Sequence, residues 1–530
     1  MTRAQIIDII EKWPERKINA KKFNDIFQVN GIPVWYFLES LMKGAYLPRP
    51  FKTLAEIEEN ARNNRTPTRS ENLKSSLIHF GLRKGLVTNE RIKRFISWSK
   101  RGKAREKDVL FLGYTNEVTR DGRGELRSIG FYEVIDALNN RGAKPLVIFC
   151  DPISANSFRG LLKFENLLYS YVDSEIVKES KMLSRELNRE WRKIGEGKKA
   201  RLFTLDGKSY WQFMKSELNF LFSREMLATL ITYYLTLKKI VKSHRVKVVF
   251  LVSLGGFYES LLLGVAHKLG KKVVYSAHGY GGRDFPVHVE LMKNVSFAAW
   301  GNEEREILLK KFGIKRENIT ITGSPFFDDI AKYRKREAKA KKTVTLLTQS
   351  LVEEQYIREK EYFDYVRRVL TQINDVKGVV KIVVKLHPRE RHKPQYEAVV
   401  KSLGLENVEI VHAPGKDALY SVLNGSDLLV SYGSTTDIEG LMLGKNVIVI
   451  DGLKKGPLVE AAKKDKYREA VVTMDKKDDL TAVITKVLTD GSLQKELEQK
   501  RREYLTNSFY RTDGKAHERV ADLVIKVLGH

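Results

Sequence analysis

Val379-Val380-Lys381-Ile382-Val383-Val384 is an apolar, β-branched run that passes at once into Lys385-Leu386-His387-Pro388-Arg389-Glu390. A second stretch repeats the pattern: Leu428-Leu429-Val430, then Ser431-Tyr432-Gly433-Ser434-Thr435-Thr436-Asp437-Ile438-Glu439-Gly440. Both runs predict strands. Residues just past the carboxyl ends of parallel strands line the crevice in which open α/β sheets take ligands. The first stretch brings a cation and an imidazole there. The second brings a hydroxyl-rich loop opening onto a helix predicted over residues 437–443, whose free N–H groups favour an anion. Together they read as a diphosphate site in an α/β protein.

Each half of that site has an ordinary explanation beside the functional one. Lys385 and His387 alternate, so a strand continued through them sets both on one face. There Lys385 is a fixed charge and His387 a donor to a leaving phosphate oxygen, unless both are solvated residues at a strand end. The hydroxyls of Ser431, Ser434, Thr435 and Thr436 exceed what capping by Thr436 or Asp437 requires. Glu439, one turn into the helix, is either a ribose acceptor or a favourable first-turn charge. His278 lies in Ala277-His278-Gly279-Tyr280-Gly281-Gly282. It is a turn histidine or, beside glycines that admit another molecule, a general base for an acceptor hydroxyl. The pairs Asp328-Asp329 and Asp478-Asp479 read as solvated, and no metal cage is predicted.

Outward from these stretches the chain divides. Residues 1–107 predict a basic helical region, with Val34-Trp35-Tyr36-Phe37-Leu38 opening an aromatic helix that ends by Gly44, and further helices over 70–84 and 89–99. From residue 108 the pattern alternates, with strands at 109–114 and 145–150 flanking a helix at 128–140. A glycine-bearing loop, residues 121–124, lies past the first of these strands. A helical insertion follows at about 157–244, and then strand, helix and strand at 246–252, 257–269 and 272–276. A second unit begins at 343–347 and continues through a helix at 354–373, the two runs above, and strands at 408–411 and 446–450. Residues 332–342 are the expected hinge. The domains are therefore 1–107, 108–331, 332–500, and a C-terminal segment 501–530 that ends in an amphipathic helix at 516–528. The fold class is α/β: two Rossmann-like domains facing a cleft.

Composition narrows the partners. The 530 residues carry a formal charge of +28 with one cysteine, Cys150, which excludes a disulfide framework and any Cys-based metal site. Up to Lys107 the balance is about +12. The excess fits an anionic partner, whether nucleic acid, acidic membrane or phosphate-bearing substrate, and equally a thermophile-like surface. No secretory leader is read at the start, and the most apolar stretch, residues 226–237, is too short to span a bilayer. The expected location is cytoplasmic, with peripheral contact at the inner face of the membrane through Trp35, Tyr36 and Phe37 unless these are core.

In order, His278-Gly279, Thr322-Gly323-Ser324-Pro325-Phe326-Phe327-Asp328, Lys385-Leu386-His387-Pro388 and Ser431-Tyr432-Gly433-Ser434-Thr435-Thr436 resemble GT-B glycosyltransferases of surface polysaccharide assembly. The likeness is to the group holding CDP-glycerol glycerophosphotransferases and capsule sialyl- and Kdo-transferases. The chain departs from it at Ala277 and Phe326, where the polyol transferases carry an aromatic residue and an arginine. The resemblance implies an inverting, metal-independent transfer from a nucleotide-activated sugar or polyol to a glycan or lipid-linked hydroxyl acceptor. That donor is a co-substrate, and no resident cofactor is implied. His278 matches the base, Lys385 and His387 the donor-phosphate pair, and Ser434 and Thr435, with Thr436, the phosphate-binding hydroxyls. Glu439 would meet the ribose, and Gly279, Gly281, Gly282 and Gly323 would line the acceptor cleft. Two alternatives stay open: a nucleotide-sugar 2-epimerase of the same two-domain shape, and a nucleic-acid-binding protein, for which no reader motif is present.

Overall fold

Continuous apolar strands separated by amphipathic helices require a parallel sheet covered on both faces, and the chain builds two. The computed structural model describes residues 9–18, 20–46, 105–113, 118–120, 126–128, 131–150, 168–277, 288–333, 342–353, 357–413, 415–450, 467–474 and 478–529. The helices predicted at 70–84 and 89–99, the 121–124 loop, and His278, Gly279, Gly281 and Gly282 lie outside the described residues.

After a 3-10 turn at Trp13–Glu15 and a one-turn helix at Phe23–Ile26, the first longer helix is α1 (Trp35–Tyr46). In the N-terminal half, β1 (Val109–Gly113), β2 (Pro145–Phe149), β3 (Val248–Leu251), β4 (Lys272–Tyr275), β5 (Val295–Ala299) and β6 (Ile319–Ile321) form one sheet in the order β6-β5-β4-β3-β1-β2. All five adjacent pairs are parallel. Side chains alternate between its faces. Val109, Phe111, Val248 and Phe250 pack with Val134 and Leu138 of α2 (Tyr132–Asn140). Leu110, Leu112, Val249 and Leu251 pack on the opposite side. That side is covered by α3 (Ser174–Lys193), α4 (Trp211–Leu221), α5 (Arg224–Ser243) and α6 (Phe257–Lys268). The apolar stretch at 226–237 is the middle of α5, buried at every position.

The N-terminal residues belong to this layer. Trp13, Phe23 and Phe27 join Trp191, Phe203 and Phe222 in one aromatic cluster, Trp13 meeting Trp35 edge-on at 4.6 Å. Trp35, Tyr36 and Phe37 are buried, so these aromatics are core and are not available to a membrane. Gly264 of α6 permits the contact: a Cβ there would stand 2.8 Å from Phe37 Cε1. The all-helical expectation for this region is corrected by two small hairpins, Lys17–Ile18 with Lys21–Lys22 and Gln28–Val29 with Ile32–Pro33. The second turns on Asn30-Gly31, both at positive φ, a signature of tight hairpins. Residues 126–128 likewise form a strand against Val118–Arg120, where a helix start was expected.

Following α7 (Asn302–Phe312) and β6, the 3-10 stretch Pro325–Tyr333 leads into the C-terminal half. Here β7 (Lys342–Leu347), α8 (Glu359–Asn374), β8 (Val379–Lys385), α9 (Lys393–Ser402), β9 (Val408–Val411), α10 (Lys416–Gly425), β10 (Leu428–Ser431), α11 (Thr435–Met442), β11 (Asn446–Ile450) and β12 (Val472–Met474) make a second six-stranded sheet. The expected pair of Rossmann-like units is present. Strands β5, β6 and β12 were not anticipated: β6 and β12 have three residues each, and β5, Val295-Ser296-Phe297-Ala298-Ala299, lacks a continuous β-branched run. Helices α12 (Leu480–Thr489) and α13 (Gly491–Phe509) cover this half.

Two features join the halves. A shared core sets Trp300, Phe327 and Ile330 of the first against Leu347, Tyr420, Leu429 and Val449 of the second. Then α14 (Ala516–Gly529) crosses back: its Val520, Ala521, Leu523 and Val524 complete the core over α2, and Arg141 meets Asp522 at 2.8 Å. Asp328, expected to be solvated, is buried at the start of α14. It accepts from Ala516 N at 3.0 Å, His517 N at 2.7 Å and the His517 ring at 2.7 Å. Asp479 is similarly a cap, for α12.

Candidate functional site

The C-terminal sheet runs β9-β8-β7-β10-β11-β12, so strand addition reverses direction between β7 and β10. At such a point the loops leaving neighbouring strands part to opposite faces and open a crevice. Lys385 ends β8 opposite Leu347 of β7, and Leu347 lies opposite Ser431 of β10. With neighbouring strands about 4.8 Å apart, this row places Lys385 and Ser431 roughly 10 Å from one another. The two loops are tied: Gln349 Nε2 donates to Gly433 O at 2.6 Å. The row continues Leu347 and Val449, which belong to the core shared with Trp300 and Phe327, so it looks toward the side on which the N-terminal half is packed.

Lys385 is buried, and its ammonium donates to its neighbour's carbonyl, Leu386 O, at 2.8 Å. Burial holds its pKa below the usual lysine value, against the pull of nearby Glu390. Among the described residues it makes no ion pair. A buried cation bonded only to a neutral oxygen is poised for an anion.

His387 is placed differently from the expectation. The strand stops at Lys385, and His387 O accepts from Glu390 N at 3.0 Å, so a turn and not the strand's period of two carries the imidazole. Its Nδ1 accepts from Arg389 N at 3.2 Å. A neutral imidazole that accepts at Nδ1 carries its proton on Nε2, which makes Nε2 the donor atom of the ring.

Glu390 organises the turn, although nothing in the sequence beyond its place in the motif marks it out. Its Oε2 accepts from His387 N at 2.6 Å and from the Thr348 hydroxyl, and its Oε1 accepts from Tyr396 OH at 2.7 Å. Burial outweighs these donors and pushes its pKa up to about 7. Thr348, just past β7, also donates its N–H to Lys385 O at 3.1 Å. Thus β7, β8 and the histidine turn are fastened through one threonine and one carboxyl.

Helix α11 starts at Thr435, two residues earlier than expected, with Ser434 as its cap in place of Thr436 or Asp437. Ser434 Oγ accepts from Thr436 N, and Asp437 Oδ2 accepts from Ser434 N at 2.8 Å, a capping box. Ser431 Oγ accepts from Gly433 N at 3.2 Å. The Thr436 hydroxyl bonds Glu439. The Thr435 hydroxyl takes no hydrogen-bond partner among the described residues, and it stands in the first turn beside its own N–H, which Ser434 does not take as it takes Thr436 N and Asp437 N. Asp437 is fully buried, bonded by Tyr467 OH at 2.9 Å, and pushed up to about 6 by desolvation.

Glu439 is 4% exposed and accepts from Tyr420 OH at 3.0 Å. Burial raises its pKa to about 7. The structure engages this side chain inside the protein instead of presenting it to a ribose. Gly323, at φ 78°, lies under the crossover, next to Arg511 O, Arg519 Nη2 and Ala516. The His278 segment follows β4, and Ala277, the last described residue before it, accepts from the Trp300 indole at 3.2 Å. Among the described residues no cluster of three or more His, Cys, Asp or Glu could hold a metal ion, and no helix is long and apolar enough to cross a membrane.

Several solved structures are similar in backbone course. UDP-GlcNAc 2-epimerase from Neisseria meningitidis bound to UDP-GlcNAc is 11% identical, with a TM-score of 0.47, covering 79% of this chain and 99% of that chain. Acinetobacter baumannii MurG is 10% identical, with a TM-score of 0.43 and coverage of 79% and 99%. The wall teichoic acid polymerase TagF is 11% identical, with a TM-score of 0.41 and coverage of 86% and 98%. No curated protein matches the chain. Residues 289–525, which contain the whole C-terminal sheet and its switch point, match the family model of UDP-N-acetylglucosamine 2-epimerases.

Proposed function

We propose that the chain binds a nucleotide-activated donor at the switch point of its C-terminal sheet and transfers a sugar or polyol phosphate to a hydroxyl acceptor in cell-surface glycan synthesis. The observation that carries this is the convergence of the buried Lys385 ammonium, the His387 turn and Thr435 in the first turn of α11 at the carboxyl end of one sheet. Those groups can neutralise charge that builds on a departing diphosphate, commonly the largest contribution to such catalysis. His278 is the proposed base for the acceptor hydroxyl, His387 Nε2 the donor to the leaving oxygen, and Thr435 the hydroxyl at the phosphates.

A second reading, 2-epimerisation of a nucleotide sugar, is favoured by the family match over residues 289–525. The two separate by product. A thermal-shift panel of UDP-, GDP-, CDP- and CMP-linked donors first identifies the nucleotide. The identified donor is then incubated with and without lipid-linked or polyol acceptors. Free nucleotide that accumulates only with acceptor supports transfer. An isomerised nucleotide sugar formed without acceptor supports epimerisation and rejects transfer.

A further inference from the structure

A groove of about 520 Å³ opens between α3 and the start of α5, outside the site described above. Five cations line it, Arg185, Arg189, Arg192, Lys193 and Arg224, against a single carboxylate, Glu186. A solvated helix face accounts poorly for this. On α3, Arg185, Arg189 and Arg192 follow one another at helical spacing and so share a flank, while Glu175, Glu179, Glu186 and Glu190 occupy another. Segregation by sign places like charges side by side, the reverse of the mixed networks that stabilise a surface. Lys193 is paired with Glu190 at 2.7 Å, yet Arg185, Arg192 and Arg224 take no ion pair among the described residues.

The walls are held in advance. Asn188, buried on the inner side of α3, donates to Phe222 O at 2.7 Å, and Trp191 stacks on Phe222 at 4.6 Å. Phe222 immediately precedes Ser223, whose hydroxyl caps α5 through Met226 N and sets Arg224 in the first helical position. The positive end of a 20-residue helix therefore adds to the arginines. Four of the five cations are guanidinium groups, whose planar forks fit phosphate oxygens in pairs. The volume lies in the range of small-molecule sites.

We propose that this groove binds a phosphate group, carried as the ester of a sugar, polyol or lipid headgroup. The full chain is titrated with sn-glycerol 3-phosphate by calorimetry and sedimented with vesicles of phosphatidylglycerol and phosphatidylcholine, beside the variant R185Q/R192Q/R224Q. The expected result is binding that weakens with salt and falls on the order of tenfold or more in the variant, whose circular dichroism and donor-nucleotide binding are unchanged. Glycerol phosphate binding without vesicle binding assigns a soluble ester; vesicle binding that glycerol phosphate displaces assigns a headgroup. Equal affinities for the native chain and the variant overturn the proposal. So does binding of polyuridylate alone, which assigns the groove to nucleic acid. Because donor binding is measured on the same variant, failure here is distinct from failure at the switch point.

Discussion

Replacing Glu390 by glutamine isolates the electrostatics of the histidine turn. The carboxyl is 2% exposed, and burial raises its pKa from the ordinary 4.5 to about 7. Between those values the folded protein holds a proton that the unfolded chain has released. Stability from this group is therefore complete below about pH 4.5 and lost as pH rises toward 7. A shift of that size is worth about 3 kcal/mol. Glutamine keeps the shape and an acceptor for His387 N but does not titrate. Guanidinium unfolding of the C-terminal half, followed by circular dichroism at pH 5 and pH 8 at equal ionic strength, should show the native chain losing about 3 kcal/mol more than E390Q over that interval. Other carboxylates titrate in both proteins and cancel in the difference. A bound diphosphate disfavours the ionised carboxyl, so donor binding should also tighten from pH 8 to pH 6 in the native chain and not in E390Q. Parallel pH curves for the two proteins would refute the reasoning: the three hydrogen bonds would then outweigh burial, with Glu390 ionised throughout.

Further substitutions test the site and the crossover. K385M should abolish detectable donor binding in a thermal-shift assay while leaving the circular dichroism unchanged, because it removes a buried cation that stabilises no carboxylate in contact; retained binding rejects a phosphate contact. H387A should weaken donor binding, and H278A should lower turnover by about 10² to 10⁴ with binding preserved, the usual contribution of a general base. T435V should weaken donor binding with little change in melting temperature, whereas S434A should also destabilise by about 1 kcal/mol through loss of the cap. The Asp328 hydrogen bond raises the pKa of His517, so their stabilisation is full below the ordinary histidine value and lost as pH rises through the raised one. D328N should flatten that dependence near neutrality, measured by thermal melts from pH 6 to pH 8.

Strands β7 to β11 of the second sheet were legible because each is dominated by apolar, β-branched residues, and β9 and β11 begin and end where the sequence places them, whereas the three-residue β12 was not legible. Lys385 and the hydroxyl loop were legible for the same reason, as polar residues directly after such runs. Glu390 and Gln349 were not, since their importance comes from contacts 42 and 84 residues away, and nothing local distinguishes them from solvated residues. Asp328 was misread because a buried cap and an exposed carboxylate look alike until the helix that it caps, nearly 190 residues later, is in place. Trp35, Tyr36 and Phe37 show the limit of composition: a membrane anchor and a core helix share the same residues, and distant neighbours decide for the core, Trp13 at Trp35, His288 at Tyr36, and Gly264 and Tyr234 at Phe37.

The crossing of α14 has a temporal consequence on the ribosome. The final strand of the first sheet, β6, closes at Ile321, but the apolar side of α2 stays uncovered until Val520 and its neighbours emerge. At ordinary elongation speeds that interval lasts roughly 10 to 40 s. During it the nascent first half exposes Val134 and Leu138, and the second half must finish before the first can. Chaperone dependence during synthesis should therefore concentrate on the first half, although it is made earlier.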